Sequence, residues 1–209
     1  MENNQKTLNQ VHFRYLRGEE IEDPFVYLNE FCEQETEIHY FRQDILDLLK
    51  TAYSYQEKFY AGHEPSYGYH QRQLIKVVEA MYVLHVGDMD LRPGNIRSYE
   101  SRYERLSNDE RNDIRIFLEN FFTSRDLDEW RSLMDELLIF SYKEGGEGYF
   151  SYLDKPFEII EYFEKLIEAV FLVYEIRQLK ERYPKASDDA VAEAAGGKTG
   201  TNEIGTATI

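Results

Sequence analysis

Apolar residues in this chain recur three and four positions apart, with almost no sustained two-residue alternation. That rhythm restricts the fold more than any motif does, because it lays a continuous stripe on an α-helix and scatters on a strand. From Ile38, the positions Phe41, Ile45, Leu48, Leu49, Ala52 and Phe59 share one helix face, which Gly62 ends. Leu74, Val77, Val78, Met81 and Leu84 mark a second helix, running to Gly87. Asp23 followed by Pro24 supplies an N-cap and a first-turn proline for a shorter helix to about Gln34.

The second half follows the same rhythm. Ser107 and Glu110 have the spacing of a capping box, opening a helix that carries Ile114, Phe117, Leu118 and Phe121. Asp126 opens the next, with Trp130, Leu133, Met134, Leu137 and Leu138 facing inward. After Pro156 the longest pattern uses Phe157, Ile160, Phe163, Ile167, Val170, Phe171, Tyr174 and Leu179 before Pro184 stops it. The chain is therefore expected to be all-α: a bundle of about six or seven helices over residues 1–183, with no internal repeat at solenoid periods. Residues 184–209 lack large aromatics and a sustained apolar face. They read as a low-complexity tail, flexible or ordered by a partner. Ile204, Thr206, Thr208 and Ile209 at its end are strand-prone and suit pairing with a partner's open sheet edge.

Composition excludes more than it assigns. Asp and Glu number 40 against 24 Lys and Arg, a net charge of −16. Such a field repels phosphate backbones and anionic lipids, so neither nucleic acid nor membrane is an expected partner. The plain reading of such acidity is solubility; the sharper one is a basic partner. The single cysteine, Cys32, rules out an internal disulfide and a multi-cysteine zinc site, and its helical spacing from Phe25 and Leu28 marks a buried thiol. No charged-then-apolar N-terminus and no run of membrane-spanning length is present, so the expected compartment is the cytoplasm.

The densest chemistry lies in GHEPSYGYH, residues 62–70. His63 is followed by Glu64, but position 67 is Tyr, so the His-Glu-x-x-His zinc motif fails. No histidine has a glutamate three residues before it, which removes the di-iron pattern. His70 and His85 would stand ~22 Å apart on one helix, too far for one metal. The stretch is best understood as a joint between helices, with no cofactor expected. A helical enzyme or metal protein using His63, Glu64, His70 and perhaps His85 or Asp88 is the alternative it leaves open. The tyrosines around it cannot all face inward, and Tyr60, His63, Tyr67 and Tyr69 are candidates for protein contact.

Residues 91–115 carry six arginines and no lysine, neutralised almost one for one by acids. Arg102 and Arg105 lie within helical reach of Glu100 and Glu104, as on an ion-paired face. Arg97, Arg102 and Arg105 are expected to dock an acidic patch or another copy of the chain. No histidine follows any arginine at the short spacing of a helical ribonuclease site. GGKTG at 196–200 lacks the leading glycine of a phosphate loop, since position 192 is Ala. The expectation is a non-enzymatic interaction protein: a structural or adaptor subunit whose tail binds in trans or, alternatively, an acidic inhibitor or immunity-type protein for a basic partner.

Overall fold

The periodic stripes become helices at the expected places. The computed structural model describes residues 8, 10–34, 38–53, 66–87, 89, 91–92, 103–142 and 156–182. Within them a 3-10 turn, Gln10–His12, precedes eight α-helices. The first four are α1 (Glu19–Glu22), α2 (Phe25–Gln34), α3 (Ile38–Tyr53) and α4 (Tyr67–Val86). The second four are α5 (Asn108–Asn112), α6 (Ile114–Ser124), α7 (Leu127–Tyr142) and α8 (Pro156–Arg182). No strand occurs among the described residues, and none of their helices is long and apolar enough to cross a membrane. The tail from residue 184 lies outside them.

The fold is all-α, with two short helices beyond the expected six or seven. Each is followed directly by an extended aspartate, Asp23 after α1 and Asp113 after α5. The box at Ser107 is real: its hydroxyl accepts from Glu110 N–H, and Glu110 Oε2 accepts from Ser107 N–H. The helix it opens nevertheless ends at Asn112, where Asp113 turns extended and caps a new helix through Arg115 N–H. Asp126 and Glu129 form a second reciprocal box at the start of α7.

One core runs through both halves. Phe41, Ile45 and Leu49 of α3 join Leu74, Val78 and Met81 of α4, Trp130, Met134 and Leu137 of α7, and Phe163, Ile167 and Val170 of α8. Trp130 lies flat on Phe121, centroids 4.1 Å apart and planes within 6°, and its indole N–H donates to the Phe121 carbonyl. In this way the sole tryptophan fastens α7 to α6.

Its organisation was not expected: the second half repeats the first at a spacing of about ninety residues. Helices α1 to α4 correspond to α5 to α8 in order and in relative length. Leu16, Glu20, Asp23, Leu28 and Phe31 recur as Leu106, Glu110, Asp113, Leu118 and Phe121. Arg42, Leu48, Tyr53, Lys76, Glu79 and Ala80 recur as Arg131, Leu137, Tyr142, Lys165, Glu168 and Ala169. The packing is reciprocal as well. Helix α3 lies on α7, α3 on α8, and α4 on α7, so each half presses its third helix against the other half's last two. A ninety-residue period is far longer than that of stacked solenoid repeats, and only twelve or so positions keep their identity.

Candidate functional site

The most polar structures of the interior are two carboxylate clamps, one in each repeat. Glu79, in the middle of α4, is fully buried. Its Oε1 accepts from Arg14 N–H at 2.6 Å and Arg131 Nη2 at 2.5 Å; its Oε2 accepts from Tyr15 N–H at 2.8 Å and Leu16 N–H at 2.9 Å. The three N–H groups belong to the stretch entering α1, which has no ladder to satisfy them. Glu168 on α8 does the same for the stretch entering α5, accepting from Arg105 and Leu106 N–H and from Arg42 Nη2. The arginines are exchanged: Arg131 of the second repeat serves Glu79 of the first, and Arg42 of the first serves Glu168 of the second.

A lysine three residues before each clamp glutamate extends the pattern. Lys76 reaches Glu20 at 2.6 Å and Lys165 reaches Glu110 at 3.3 Å. Each of those glutamates also accepts an N–H at the start of its short helix, from Arg17 or Ser107. Every carboxylate of the clamps thereby accepts from two or more donors, and each ties a loop to a helix of its own repeat.

The first repeat carries a cavity beside its clamp, of about 550 Å³, between the 3-10 turn, the ends of α4 and α6, and the start of α7. Tyr82, His85 and Phe122 form one wall: Phe122 stacks on the His85 imidazole at 5.2 Å and meets Tyr82 edge-on at 5.2 Å. Burial holds the His85 pKa below the usual histidine range, partly offset by Glu119. Val11 and Val86 stand exposed at the rim, with Asp126 and Asp128 beside them. Arg131 reaches the floor, donating to Asp128, Glu79 and the His12 carbonyl.

Two further grooves are equivalent to each other. The one between α2 and α4, about 400 Å³, presents Tyr69, Arg72, Gln73 and Lys76. The one between α6 and α8, about 390 Å³, presents Glu158, Glu161, Tyr162 and Lys165 at the corresponding positions. Their charges have diverged on a shared backbone.

The candidates from the sequence do not converge on these places as a set. Tyr67 is buried, its hydroxyl 3.0 Å from Thr51 Oγ1 and its ring against Tyr142, so it packs the core and does not form a contact surface. Tyr69 is exposed on the α2–α4 groove. Arg105 is not on a helical ion-paired face. Its segment is non-helical, its N–H joins the Glu168 clamp, and its guanidinium pairs with Glu164 of α8 at 3.1 Å. His70 bonds Ser66 through Nε2 and stands far along α4 from His85. Among the described residues no three His, Cys, Asp or Glu side chains are grouped to hold a metal ion. Tyr60, His63, Arg97, Arg102, Ile204, Thr206, Thr208 and Ile209 lie outside the described residues. Cys32 is buried as expected.

Sequence reasoning missed the clamps although a signal was present. KVVEA at 76–80 and KLIEA at 165–169 each set a glutamate inside an apolar run on a helix, where a charge has to find a buried partner. The cavity had no such signal, since its wall is assembled from four separated segments. No protein-family model, curated protein or solved structure matches the chain.

Proposed function

We infer that the chain is a non-enzymatic protein-binding protein whose partner is basic, acting as an acidic inhibitor or cap. The observation that carries this reading is where the basic side chains go. Arg42, Lys76, Arg131 and Lys165 are drawn into the interior ion pairs of the two repeats, and Arg105 and Arg115 are paired at its edge. The chain holds 24 basic residues against 40 acidic ones, and spends some of the few it has inside. Exposed positions such as Glu19, Glu22, Glu33, Glu119, Glu129 and Glu136 then dominate the surface field. A field of one sign steers an oppositely charged partner and repels others, and its reach shrinks to a few ångströms at high salt.

The same inventory argues against an anionic substrate. The buried carboxylates Glu79 and Glu168 already accept hydrogen bonds from the donors around them, so these two are not poised as an acid or base. The adaptor reading, with the tail paired in trans, turns on residues 184–209 and stands as a variant of the same interaction function.

The test is capture by the immobilised full chain from its native extract, at about 50 mM and about 500 mM salt. The expected result is a stoichiometric basic protein, held at low salt and released at high salt. A captured partner that is neutral or acidic and insensitive to salt overturns the basic-partner reading. Loss of that partner on truncation after Tyr183 would instead assign the contact to the tail.

A further inference from the structure

We propose that the cavity beside the Glu79–Arg131 clamp is the socket in which the basic partner inserts an arginine flanked by apolar residues. The proposal rests on the reading of a basic protein partner and names the surface that receives it.

The socket has the chemistry of such an occupant. Tyr82, Phe122 and the His85 ring make an aromatic wall, against which a guanidinium stacks favourably. Asp126 and Asp128 lie at the rim, Asp128 with 89% of its side chain in solvent; each already accepts one bond through Oδ1, from Glu129 N–H and Arg131 Nη1, and has its second oxygen for the incoming charge. Val11, 86% exposed, and Val86, 45% exposed, offer apolar surface to the aliphatic stem and to neighbouring side chains. The volume admits one or two side chains and not a folded element.

An anionic occupant is disfavoured by the floor. Arg131 has given Nη1 to Asp128 and Nη2 to Glu79 and the His12 carbonyl. Its Nε is buried without a partner, but so is Nε of Arg42 at the other clamp, so that donor belongs to the clamp and not to the cavity. Burial disfavours the charged form of the His85 imidazole, against an opposing pull from Glu119.

The second repeat supplies an internal control. It keeps the clamp, as Glu168 with Arg42, while changing three of the side chains around the cavity. Val86 corresponds to Glu175, His85 to Tyr174, and Phe122 to Cys32. An apolar residue at position 86 is thus not required by the clamp.

The experiment uses the full chain and an arginine–leucine peptide as probe, with a glutamate–leucine peptide beside it. Binding is followed by NMR shifts and by fluorescence of Trp130, which adjoins Arg131. The arginine–leucine peptide is expected to perturb Val11, Tyr82, His85 and Phe122. Val86→Lys and Val11→Lys are expected to weaken it about tenfold, because each removes apolar rim surface and sets a like charge beside the incoming guanidinium. The control Ile139→Lys adds the same charge at an exposed site on α7 ~12 Å beyond Arg131, and should change affinity less than about twofold. Perturbation centred elsewhere, or equal affinity for Val86→Lys, removes the socket while leaving a basic partner in place. Equal binding of the glutamate–leucine peptide also removes it. Absence of salt-sensitive binding to any cationic protein removes both readings together.

Discussion

Replacing Glu79 with glutamine tests the clamp with a change of one atom. Each carboxylate oxygen serves two donors: Oε1 takes Arg14 N–H and Arg131 Nη2, and Oε2 takes Tyr15 and Leu16 N–H. Whichever oxygen becomes an amide, two buried donors then face a third donor. At roughly 1–3 kcal/mol for each stranded group, and with Arg131 losing its counter-charge, the expected cost is ~4 kcal/mol. That is a large part of the 5–15 kcal/mol that typically holds a domain. The equivalent change at Glu168 is milder. Its Oε1 serves Arg42 alone, and Arg42 keeps a quarter of its side chain in solvent. An amide placed there strands one donor that water can recover, so Glu168→Gln should cost ~2 kcal/mol. Urea unfolding followed through Trp130 fluorescence measures both, with an unchanged m-value licensing the comparison. A loss below about 1 kcal/mol for Glu79→Gln, or an equal loss at the two sites, refutes the hydrogen-bond accounting.

Four further outcomes can be measured in the same way. Ser107→Ala removes one arm of the capping box and should cost about 1 kcal/mol, read as a shifted urea midpoint. Burial pushes the Tyr53 phenol up to about 12, whereas an unfolded phenol ionises near 10. The unfolded chain therefore loses that proton first, so stability is full below about pH 10 and falls as pH rises toward 12; Tyr53→Phe should flatten that limb. At the other end, burial holds the His85 pKa down, so the unfolded chain binds the proton first as pH drops below about 6.5. Stability should decline there, and His85→Phe should remove that part of the slope. Finally, fragments divided between Arg92 and Tyr103 separate each clamp glutamate from its arginine. Each alone should unfold without a cooperative transition by circular dichroism, and mixing should restore one. A cooperative transition in either fragment alone would show that the exchanged arginines do not bind the halves together.

The helices were legible because each is amphipathic and long enough for its stripe to repeat. Phe41 to Ala52 and Leu74 to Leu84 left little freedom in phase. The break at Asp113 was not, because a capping aspartate inside a continuous apolar pattern looks the same whether the helix stops or passes through it. Tyr67 and Tyr69, two positions apart, were read together as surface. A helix turns ~200° over two residues, which sends Tyr67 to the core and Tyr69 to solvent. Arg105 was read as part of a helical charge run, but its backbone is drawn out of helix by Glu168, sixty-three residues away. Local spacing cannot show a partner at that distance. The cavity was illegible for a related reason, since Val11, Val86, Phe122 and Asp126 meet only once the chain is packed.

The exchange of Arg42 and Arg131 has a consequence for descent. When residue i of one unit serves residue j of the other and the converse also holds, the arrangement is that of an isologous interface, the signature of a two-fold homodimer. The two repeats meet in that manner, as a dimer made covalent within one chain. In a true homodimer every surface residue appears twice, so a change that improves one face alters its mate as well. Two such units within one chain carry no such constraint. The α2–α4 groove could take up Arg72 while the α6–α8 groove took up Glu161, and one flank could keep a valine where the other accepted a glutamate. A symmetric ancestor would have offered one kind of surface in duplicate; this chain offers two kinds at the same size.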